Sequence, residues 1–292
     1  MRAEVYYQRG AADPVLGDEV VLGLVRAHAP GATAVTGIDE SGGEARVYDI
    51  DDDLVLKVQR PHRLRASTSL AAEALFLREL ERQTDVPTPR VLGYDREGGI
   101  EYTCMTRIPG VPVRDVTWED APRRAMLHAL GQTLRRIHGI DQRPLLDSGL
   151  FPRDEPADLV ERLRSDARDN IDRHRDTLSP AQADDLAAFV EARLASIRDV
   201  DAFVALHTNP ALTHTFVDPV TRAYQGLIDF GDTYIGHPVF DLWTWHPADR
   251  RALFDGYTAA GPVSPAFQVI HDASLAIDRR LEAAFGPVRP RG

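Results

Sequence analysis

Residues 227–232 read Leu227-Ile228-Asp229-Phe230-Gly231-Asp232, an apolar run that ends in a carboxylate and a glycine turn. The run has the composition of a short buried strand, and the glycine marks the turn that follows it. A carboxylate at such a strand end, directly before a Phe-Gly pair, is typical of a metal-binding Asp-Phe-Gly element. The segment therefore predicts Asp229 as a ligand of a divalent metal ion.

A loop rich in polar side chains lies upstream of this segment. It connects short strands predicted at 203–206 and 215–217, and it contains His207, Asn209 and His214. Downstream, residues 235–242 read Ile-Gly-His-Pro-Val-Phe-Asp-Leu. We interpret Asp241, the carboxylate in this run, as an N-cap of the next helix or as a brace for a loop.

The only lysine of the chain is a second candidate for chemistry. Lys57 stands among 34 lysine and arginine residues and lies near the end of a strand-like run, 54–58, after a turn at 51–53. A compact ammonium on a slim stem suits a site that needs a point charge. Glu73 comes sixteen residues later on an amphipathic helix predicted at 69–80,. The spacing predicts an ion pair between Lys57 and Glu73.

A glycine-bearing loop precedes this strand. Ser41-Gly42-Gly43-Glu44 lies between strands predicted at 34–38 and 45–50. Glycines let a backbone approach phosphates closely, so Gly42 and Gly43 are candidates for binding them. The same residues also fit an ordinary turn, and the sequence leaves both interpretations open.

The order of the predicted elements divides the chain into two parts. Residues 1–106 are rich in strands. Residues 107–292 are mostly helical, with helices predicted at 124–138, 159–168, 180–197 and 265–285 and a small strand insert. This order predicts an α+β fold with a strand-rich N-lobe and a larger helical C-lobe.

Composition narrows the class of function. The formal net charge of -11 over 292 residues argues against a general nucleic-acid binder, which would present a basic face,. The chain has a single cysteine, Cys104, and no apolar run near the roughly 18 residues of a membrane span,. We therefore expect a protein of the reducing cytoplasm with neither a nucleic-acid nor a membrane partner.

Together these motifs resemble the aminoglycoside phosphotransferase and choline kinase-like family, relatives of the protein kinases. That family carries a His-Gly-Asp loop with an asparagine after four further residues, then a strand, Ile-Asp-Phe/Trp-Gly-Asp, Ile-Gly-Asp-Pro and an Asp-Leu pair. The resemblance extends over about residues 36 to 245. It implies a two-lobed protein-kinase-like fold and transfer of phosphate from ATP or GTP to a small hydroxylated molecule.

The resemblance also implies roles for single residues. Lys57 would bind the α/β-phosphates, Glu73 would orient it, and Asp229 with His214 would hold Mg²⁺ or Mn²⁺. Either a sandwich around the nucleotide base or an ordinary hydrophobic core would fit Val47, Val55, Phe216 and Ile228. Met105 and Ile108 fit the base-binding connection between the lobes. The nucleotide-binding residues expected in this way are Gly42, Gly43, Val47, Val55, Lys57, Glu73, Met105, Ile108, Phe216 and Ile228.

Two positions depart from the family pattern. Asn209 stands where the family has its catalytic aspartate, and His214 stands where it has a metal-binding asparagine. An amide is not a base, so Asn209 would orient the acceptor hydroxyl without taking its proton, and His207 would serve mainly as a scaffold of the loop. Three explanations stay open: a slow or base-independent kinase, a nucleotide- or ligand-binding pseudokinase, or an engineered inactive variant. The acceptor, the choice of ATP or GTP and the oligomeric state cannot be read from the sequence.

Overall fold

The structure is a computed structural model. It describes residues 5–7, 13, 15–40, 42–60, 63–65, 69–201 and 203–286. Within these residues the strands are β1 (Val5–Tyr7), β2 (Val35–Asp39), β3 (Ala45–Ile50), β4 (Leu54–Gln59), β5 (Arg63–Arg65), β6 (Val91–Glu97), β7 (Ile100–Thr106), β8 (Val111–Pro112), β9 (Val204–Ala205), β10 (Thr215–Val217), β11 (Tyr224–Leu227) and β12 (Ile235–Gly236).

The α-helices are α1 (Asp18–Arg26), α2 (Leu70–Gln83), α3 (Asp120–Ile137), α4 (Arg143–Ser148), α5 (Pro156–Arg173), α6 (Pro180–Leu194), α7 (Val239–Leu242), α8 (Arg250–Tyr257) and α9 (Pro265–Phe285). They form two compact units with the strands. The first comprises described residues of Met1–Thr117, Ile140–Pro152 and Leu212–Tyr234. The second comprises those of Trp118–Gly139, Arg153–Ala211 and Ile235–Gly292.

A five-stranded antiparallel sheet in the order β2-β3-β4-β7-β6 dominates the first unit. Side chains alternate between its two faces, as the period of a strand requires. One face packs on α1, and its buried core includes Tyr48, Ile50, Leu56, Tyr102 and Cys104. The residues between them therefore point to the opposite face.

That opposite face carries Lys57. Lys57 pairs with Val47 on β3 and with Thr103 on β7, and Val55, two residues earlier, pairs with Met105. Directly paired residues share a face, as do residues two apart on one strand. The register thus places Val47, Val55, Lys57, Thr103 and Met105 on one surface of the sheet.

Two small sheets carry the short strands β8 to β12. The order β11-β10-β8 belongs to the first unit, and the pair β12-β9 belongs to the second. Packing in the second unit brings α3 against α8 so closely that a Cβ at Gly131 would lie 2.1 Å from the Leu253 carbonyl oxygen. A Cβ at Gly256 would likewise lie 2.0 Å from the His128 carbonyl oxygen. Glycine at both positions is what permits this approach.

Candidate active site

Three charged side chains of the first unit form a cluster. The Lys57 Nζ donates to Glu73 Oε1 at 3.0 Å and to Asp229 Oδ1 at 2.7 Å, and it lies 2.9 Å from Glu73 Oε2. The Glu73 side chain is 2% exposed and that of Lys57 15%, whereas that of Asp229 is 43% exposed. One cation thus joins a buried carboxylate to one that faces solvent.

The helix α2 fixes the position of Glu73. Ser69 caps this helix, because its Oγ accepts from the backbone N–H groups of Ala71 and Ala72 at 3.1 and 3.3 Å,. Glu73 lies in the first helical turn, and its Oε1 also accepts from the Phe230 backbone N–H at 3.1 Å. Phe230 packs edge-on against Phe76 of α2, with ring centroids 5.4 Å apart. The segment that follows Asp229 is therefore anchored to the helix that carries Glu73.

Asp229 itself has an unusual backbone. It follows the end of β11 with φ of 68°, in the left-handed region that L-residues seldom adopt,. The Ile228 N–H donates to the His214 carbonyl oxygen at 3.0 Å, and His214 Nε2 lies 3.4 Å from Asp229 Oδ2. The two residues expected to hold a metal ion are thus neighbours.

The electrostatics of the cluster keep Lys57 charged. Burial lowers the pKa of the Lys57 ammonium, but attraction to Asp229 and Glu73 and hydrogen bonds to both outweigh burial, so that its pKa lies above the usual range. Burial acts in the opposite sense on Glu73 and raises the pKa of its carboxyl, against the lowering effect of Lys57. Lys57 and Glu73 therefore depend on one another for their charge states.

The glycine-bearing loop is tied down at its C-terminal side. The Gln59 Nε2 donates to the Glu44 carbonyl oxygen at 2.7 Å, and the Arg60 Nη1 donates to that of Gly42 at 3.4 Å. A Cβ at Gly43 would meet no atom within 4 Å, so this position borders open space. Ser41 lies outside the described residues.

The residues expected around the nucleotide base fall into two groups. Val47, Val55 and Met105 share the sheet face of Lys57. Phe216 lies in β10, Ile228 directly follows β11, and Ile108 follows β7, in the same compact unit. The group that sequence reasoning missed on this face is Thr103, whose buried Oγ1 has no hydrogen-bond partner among the described residues. Thr103 pairs with Lys57 between β7 and β4, a relation that the sequence alone does not show.

The loop with Asn209 is built from buried polar groups of the second unit. His207 and Asp241 are both fully buried. Asp241 accepts from the His207 N–H at 2.8 Å through Oδ2 and from the Thr208 N–H at 2.6 Å through Oδ1. Asp241 lies inside α7, whose N-cap is Pro238, so the expectation of an N-cap is wrong and the expectation of a loop brace is confirmed.

Two further contacts hold this loop. Asn209 donates its N–H to His207 Nδ1 at 3.3 Å, which gives the imidazole a supporting role in the loop. Trp245, a residue that sequence reasoning missed, donates its Nε1–H to the Pro210 carbonyl oxygen at 2.7 Å. Thr208 has φ of 79°, a strained value for a β-branched residue,. The backbone on either side of Asn209 is therefore fixed.

A divalent ion suits the chemistry of Asp229 and His214. A carboxylate oxygen and an imidazole nitrogen 3.4 Å apart can both ligate such an ion, and the carboxylate is exposed enough to be reached,. Across the described parts of the chain, no group of three or more His, Cys, Asp or Glu side chains is arranged to hold a metal.

Comparison with known proteins defines the class of this chain. The model of the phosphotransferase enzyme family matches residues 36–268, and the chain belongs to that family. No curated protein matches the sequence. Among the described residues, no helix is both long and apolar enough to cross a membrane.

Solved structures share the fold at low sequence identity. The GDP complex of aminoglycoside 2'-phosphotransferase-IIIa superposes with a TM-score of 0.63 at 14% identity over 92% of each chain. Macrolide 2'-phosphotransferase MphH from Brachybacterium faecium gives 0.55 at 19% identity over 92% of this chain and 99% of that one. ADP-bound aminoglycoside phosphotransferase APH(2'')-Ib gives 0.57 at 14% identity over 91% and 90%. The predicted α+β, protein-kinase-like fold is confirmed.

Proposed function

We propose that this chain transfers the γ-phosphoryl group of ATP or GTP to a hydroxyl of a small molecule. The observation that carries the proposal is the bridge from Lys57 to Glu73 and Asp229 at 2.7 to 3.0 Å. Phosphoryl transfer depends mainly on positioning and charge neutralisation, and a cation fixed by a buried anion supplies both. Membership of the phosphotransferase family supports the same reaction class.

The ligands of similar solved structures support the proposed ligands. Aminoglycoside 2'-phosphotransferase-IIIa is in complex with GDP, APH(2'')-Ib with ADP, and APH(2'')-IIa with gentamicin. By analogy we propose that the described sheet face around Lys57 binds a purine nucleotide. The acceptor class follows only as far as a hydroxylated small molecule, because aminoglycoside and macrolide enzymes both share the fold,.

Each residue then has a role in a balanced reaction. Lys57 would bind the α/β-phosphates, and Asp229 with His214 would hold Mg²⁺ or Mn²⁺, which neutralises phosphate charge when bound. The acceptor oxygen forms a bond to the γ-phosphorus, the bond to the leaving diphosphate oxygen breaks, and the acceptor proton goes to phosphate or solvent. Asn209 would donate a hydrogen bond to the acceptor oxygen.

The lobe boundary between residues 106 and 107 and a cytoplasmic location remain predictions.

One observation favours a second candidate function, a nucleotide-binding module without turnover. Asn209 cannot accept a proton, and general-base help is typically worth about 10² to 10⁴ in rate. In the loose transition state of phosphoryl transfer the base matters less than positioning, which favours the kinase. The two candidates share the nucleotide site and differ in transfer.

A thermal-shift titration tests the part that both candidates share. ATP and GTP are each added with and without Mg²⁺ or Mn²⁺, to the wild type and to Lys57→Met. A nucleotide at a hundred times its dissociation constant stabilises the fold by about 2.7 kcal/mol, a shift that we expect in the wild type and in the control variant but not in Lys57→Met. Arg143→Met is the control, because Arg143 is an exposed side chain paired with Asp141. The absence of any shift in the wild type would overturn the proposal.

A transfer assay separates the two candidates. The Asn209→Asp variant is tested beside the wild type with labelled ATP or GTP and a panel of aminoglycosides, macrolides and amino alcohols. We expect slow transfer in the wild type and a rise on the order of 10² or more in the variant. Nucleotide binding with no transfer in either protein would favour the module.

A further inference from the structure

Two arginines flank the glycine-bearing loop on the face of the sheet opposite to Lys57. Arg46 lies in β3, two residues before Tyr48, and Arg60 directly follows β4, two residues after Val58. Tyr48 and Val58 belong to the core on the α1 side of the sheet, and residues two apart share a face,. The arginine side chains are only 5% and 11% exposed. Because a guanidinium stays charged, both groups need partners where they are buried.

One carboxylate joins the two guanidinium groups. Arg46 donates to Asp13 through both terminal nitrogens, from Nη1 to Oδ1 at 3.3 Å and from Nη2 to Oδ2 at 3.2 Å. Arg60 Nε donates to Asp13 Oδ2 at 3.0 Å, and Arg60 Nη2 lies 2.8 Å from the same oxygen. A planar guanidinium offers its donors in a rigid fork. Asp13 therefore fixes the orientation of both arginine heads.

The same two arginines hold the glycine-bearing loop. Arg46 Nε donates to Glu40 Oε1 at 2.8 Å, where the chain enters the loop. Arg60 Nη1 donates to the Gly42 carbonyl oxygen at 3.4 Å, inside the loop. Since Nε and Nη2 of Arg60 are turned to Asp13, the rigid fork directs the remaining Nη1 toward Gly42,. The carboxylate of Asp13 thus sets the direction from which the loop is held.

The hydrogen bond to Gly42 also sets the direction of the next N–H group. In a trans peptide the carbonyl group and the N–H of the following residue point in opposite directions. The peptide between Gly42 and Gly43 is trans, so the Gly43 N–H points away from Arg60. A Cβ at Gly43 would meet no atom within 4 Å, so a ligand can approach this position. Backbone N–H groups presented in this way bind anions.

We propose that Asp13 is a positioning residue, which acts through Arg46 and Arg60 to aim the Gly43 N–H at the phosphate chain of a nucleotide. Asp13 is not itself proposed to touch the nucleotide, because its arginines lie on the sheet face opposite to Lys57. The phosphate ligand rests on the proposed phosphotransferase function. The hold of Asp13 on the loop does not, since it concerns contacts within the protein alone.

Amide hydrogen exchange measures the hold on the loop. Asp13→Asn keeps the size of the side chain and removes its charge, and NMR follows exchange of the Arg60 N–H, which donates to the Glu44 carbonyl oxygen at 2.7 Å. We expect faster exchange there by on the order of tenfold, since charge-assisted hydrogen bonds to Arg60 are lost. The matched control is Tyr48→Phe, which removes the acceptor of the Leu16 N–H and no hydrogen bond to either arginine. Unchanged exchange in Asp13→Asn, or an equal rise in Tyr48→Phe, would overturn the proposal.

A comparison of nucleotides with nucleosides tests the ligand. ATP and GTP with Mg²⁺, and adenosine and guanosine, are titrated into the wild type and both variants and followed by NMR. In Asp13→Asn we expect the dissociation constant of the triphosphate to rise by on the order of tenfold and that of the nucleoside to stay unchanged, because the Gly43 N–H contacts phosphate. Both constants should stay unchanged in Tyr48→Phe. Equal weakening of nucleotide and nucleoside in Asp13→Asn would indicate a general loss of structure and refute the positioning role.

The same titration distinguishes this inference from the proposed function. If the wild type binds no nucleotide, the proposed function fails and the phosphate ligand fails with it. The exchange data then still decide whether Asp13 holds the loop. If the wild type binds nucleotide and Asp13→Asn binds it equally well, the proposed function stands and the role of Asp13 is refuted.

A second variant keeps the proposal testable if Asp13→Asn does not fold. Arg60→Lys retains the positive charge, but its ammonium lacks the planar fork that joins Asp13 to Gly42. We expect faster exchange of the amide at position 60 and weaker triphosphate binding, with unchanged nucleoside binding. Wild-type exchange and wild-type triphosphate binding in Arg60→Lys would contradict the proposal.

Discussion

Replacing Lys57 by methionine removes the cation and leaves a carboxylate in the interior. Methionine has similar length and packs as an apolar chain, so the variant changes charge more than volume. Glu73, 2% exposed, then faces Asp229 with no counter-charge. Removal of one partner from a buried pair typically costs about 3 to 5 kcal/mol in the free energy of unfolding. We expect Lys57→Met to be destabilised strongly at pH 7.

Protonation of Glu73 limits the part of that cost that comes from its unpaired charge. A glutamate with an ordinary pKa of 4.5 takes up a proton at pH 7 for about 3.4 kcal/mol, at 1.36 kcal/mol per pH unit,. At pH 5 the same uptake costs only about 0.7 kcal/mol. In the variant the pKa of the folded state lies above that of the unfolded state, so stability is lost as the pH rises. The deficit relative to the wild type should therefore shrink on going from pH 7 to pH 5.

Urea unfolding at the two pH values measures this deficit. The double variant Lys57→Met/Glu73→Gln should recover most of the lost stability, because no buried charge remains. Arg143→Met, which breaks an exposed pair with Asp141, should cost less than about 1 kcal/mol at either pH,. A deficit in Lys57→Met that is absent at pH 7, or that does not change with pH, would show that Glu73 is not held charged by Lys57.

Two further predictions concern the packing and the pH dependence of the second unit. Gly131→Ala should lower the free energy of unfolding, measured with urea, by about 2 kcal/mol or more, because its Cβ would lie 2.1 Å from the Leu253 carbonyl oxygen,. The control is Gly23→Ala in α1, whose Cβ would meet nothing within 4 Å and which should raise the free energy of unfolding by about 0.5 to 1 kcal/mol,. Burial lowers the pKa of His237 to about 4 from 6.5, against a smaller raising effect of Asp201. The unfolded chain therefore binds the proton more tightly, and stability falls as the pH drops below 6.5,. Between pH 7 and pH 5 the wild type should lose about 2 kcal/mol more of its free energy of unfolding than His237→Gln, and equal losses would contradict this prediction. Equal stabilities of the two alanine variants would contradict the packing argument.

The parts of the site that the sequence predicted are those that depend on short-range pattern. The strand with Lys57 and the helix with Glu73 follow from alternation and helical period, and their ion pair is present at 3.0 Å,. The hydrogen bond from Lys57 to Asp229 joins residues 172 positions apart, and no local sequence pattern encodes that this strand end meets the lysine. Sequence reasoning predicted the metal-binding character of Asp229 and missed its contact with the lysine.

Other misses arose where tertiary packing overrides local preference. A threonine seldom adopts left-handed backbone, so nothing in the sequence predicted the conformation of Thr208, which Asp241 supports from α7,. The eight-residue helix α8 was missed as well. It is short, and its contact with α3 is made at Gly131 and Gly256. Glycines do not contribute to the apolar periodicity from which a helix is predicted.

The asparagine at position 209 removes one contribution to catalysis and leaves the larger ones in place. Enzymes accelerate reactions by typically 10⁶-fold or more, and a general base accounts for about 10² to 10⁴ of that. The charge cluster at Lys57 does not involve Asn209, and its ammonium stays protonated because its pKa is raised. The amide of Asn209 can still donate a hydrogen bond to an acceptor oxygen from a backbone that Asp241 holds,. Because the proton of the acceptor leaves late in a loose transition state, such a site can orient the hydroxyl and let phosphate or solvent take the proton, which is a physical route to slow transfer.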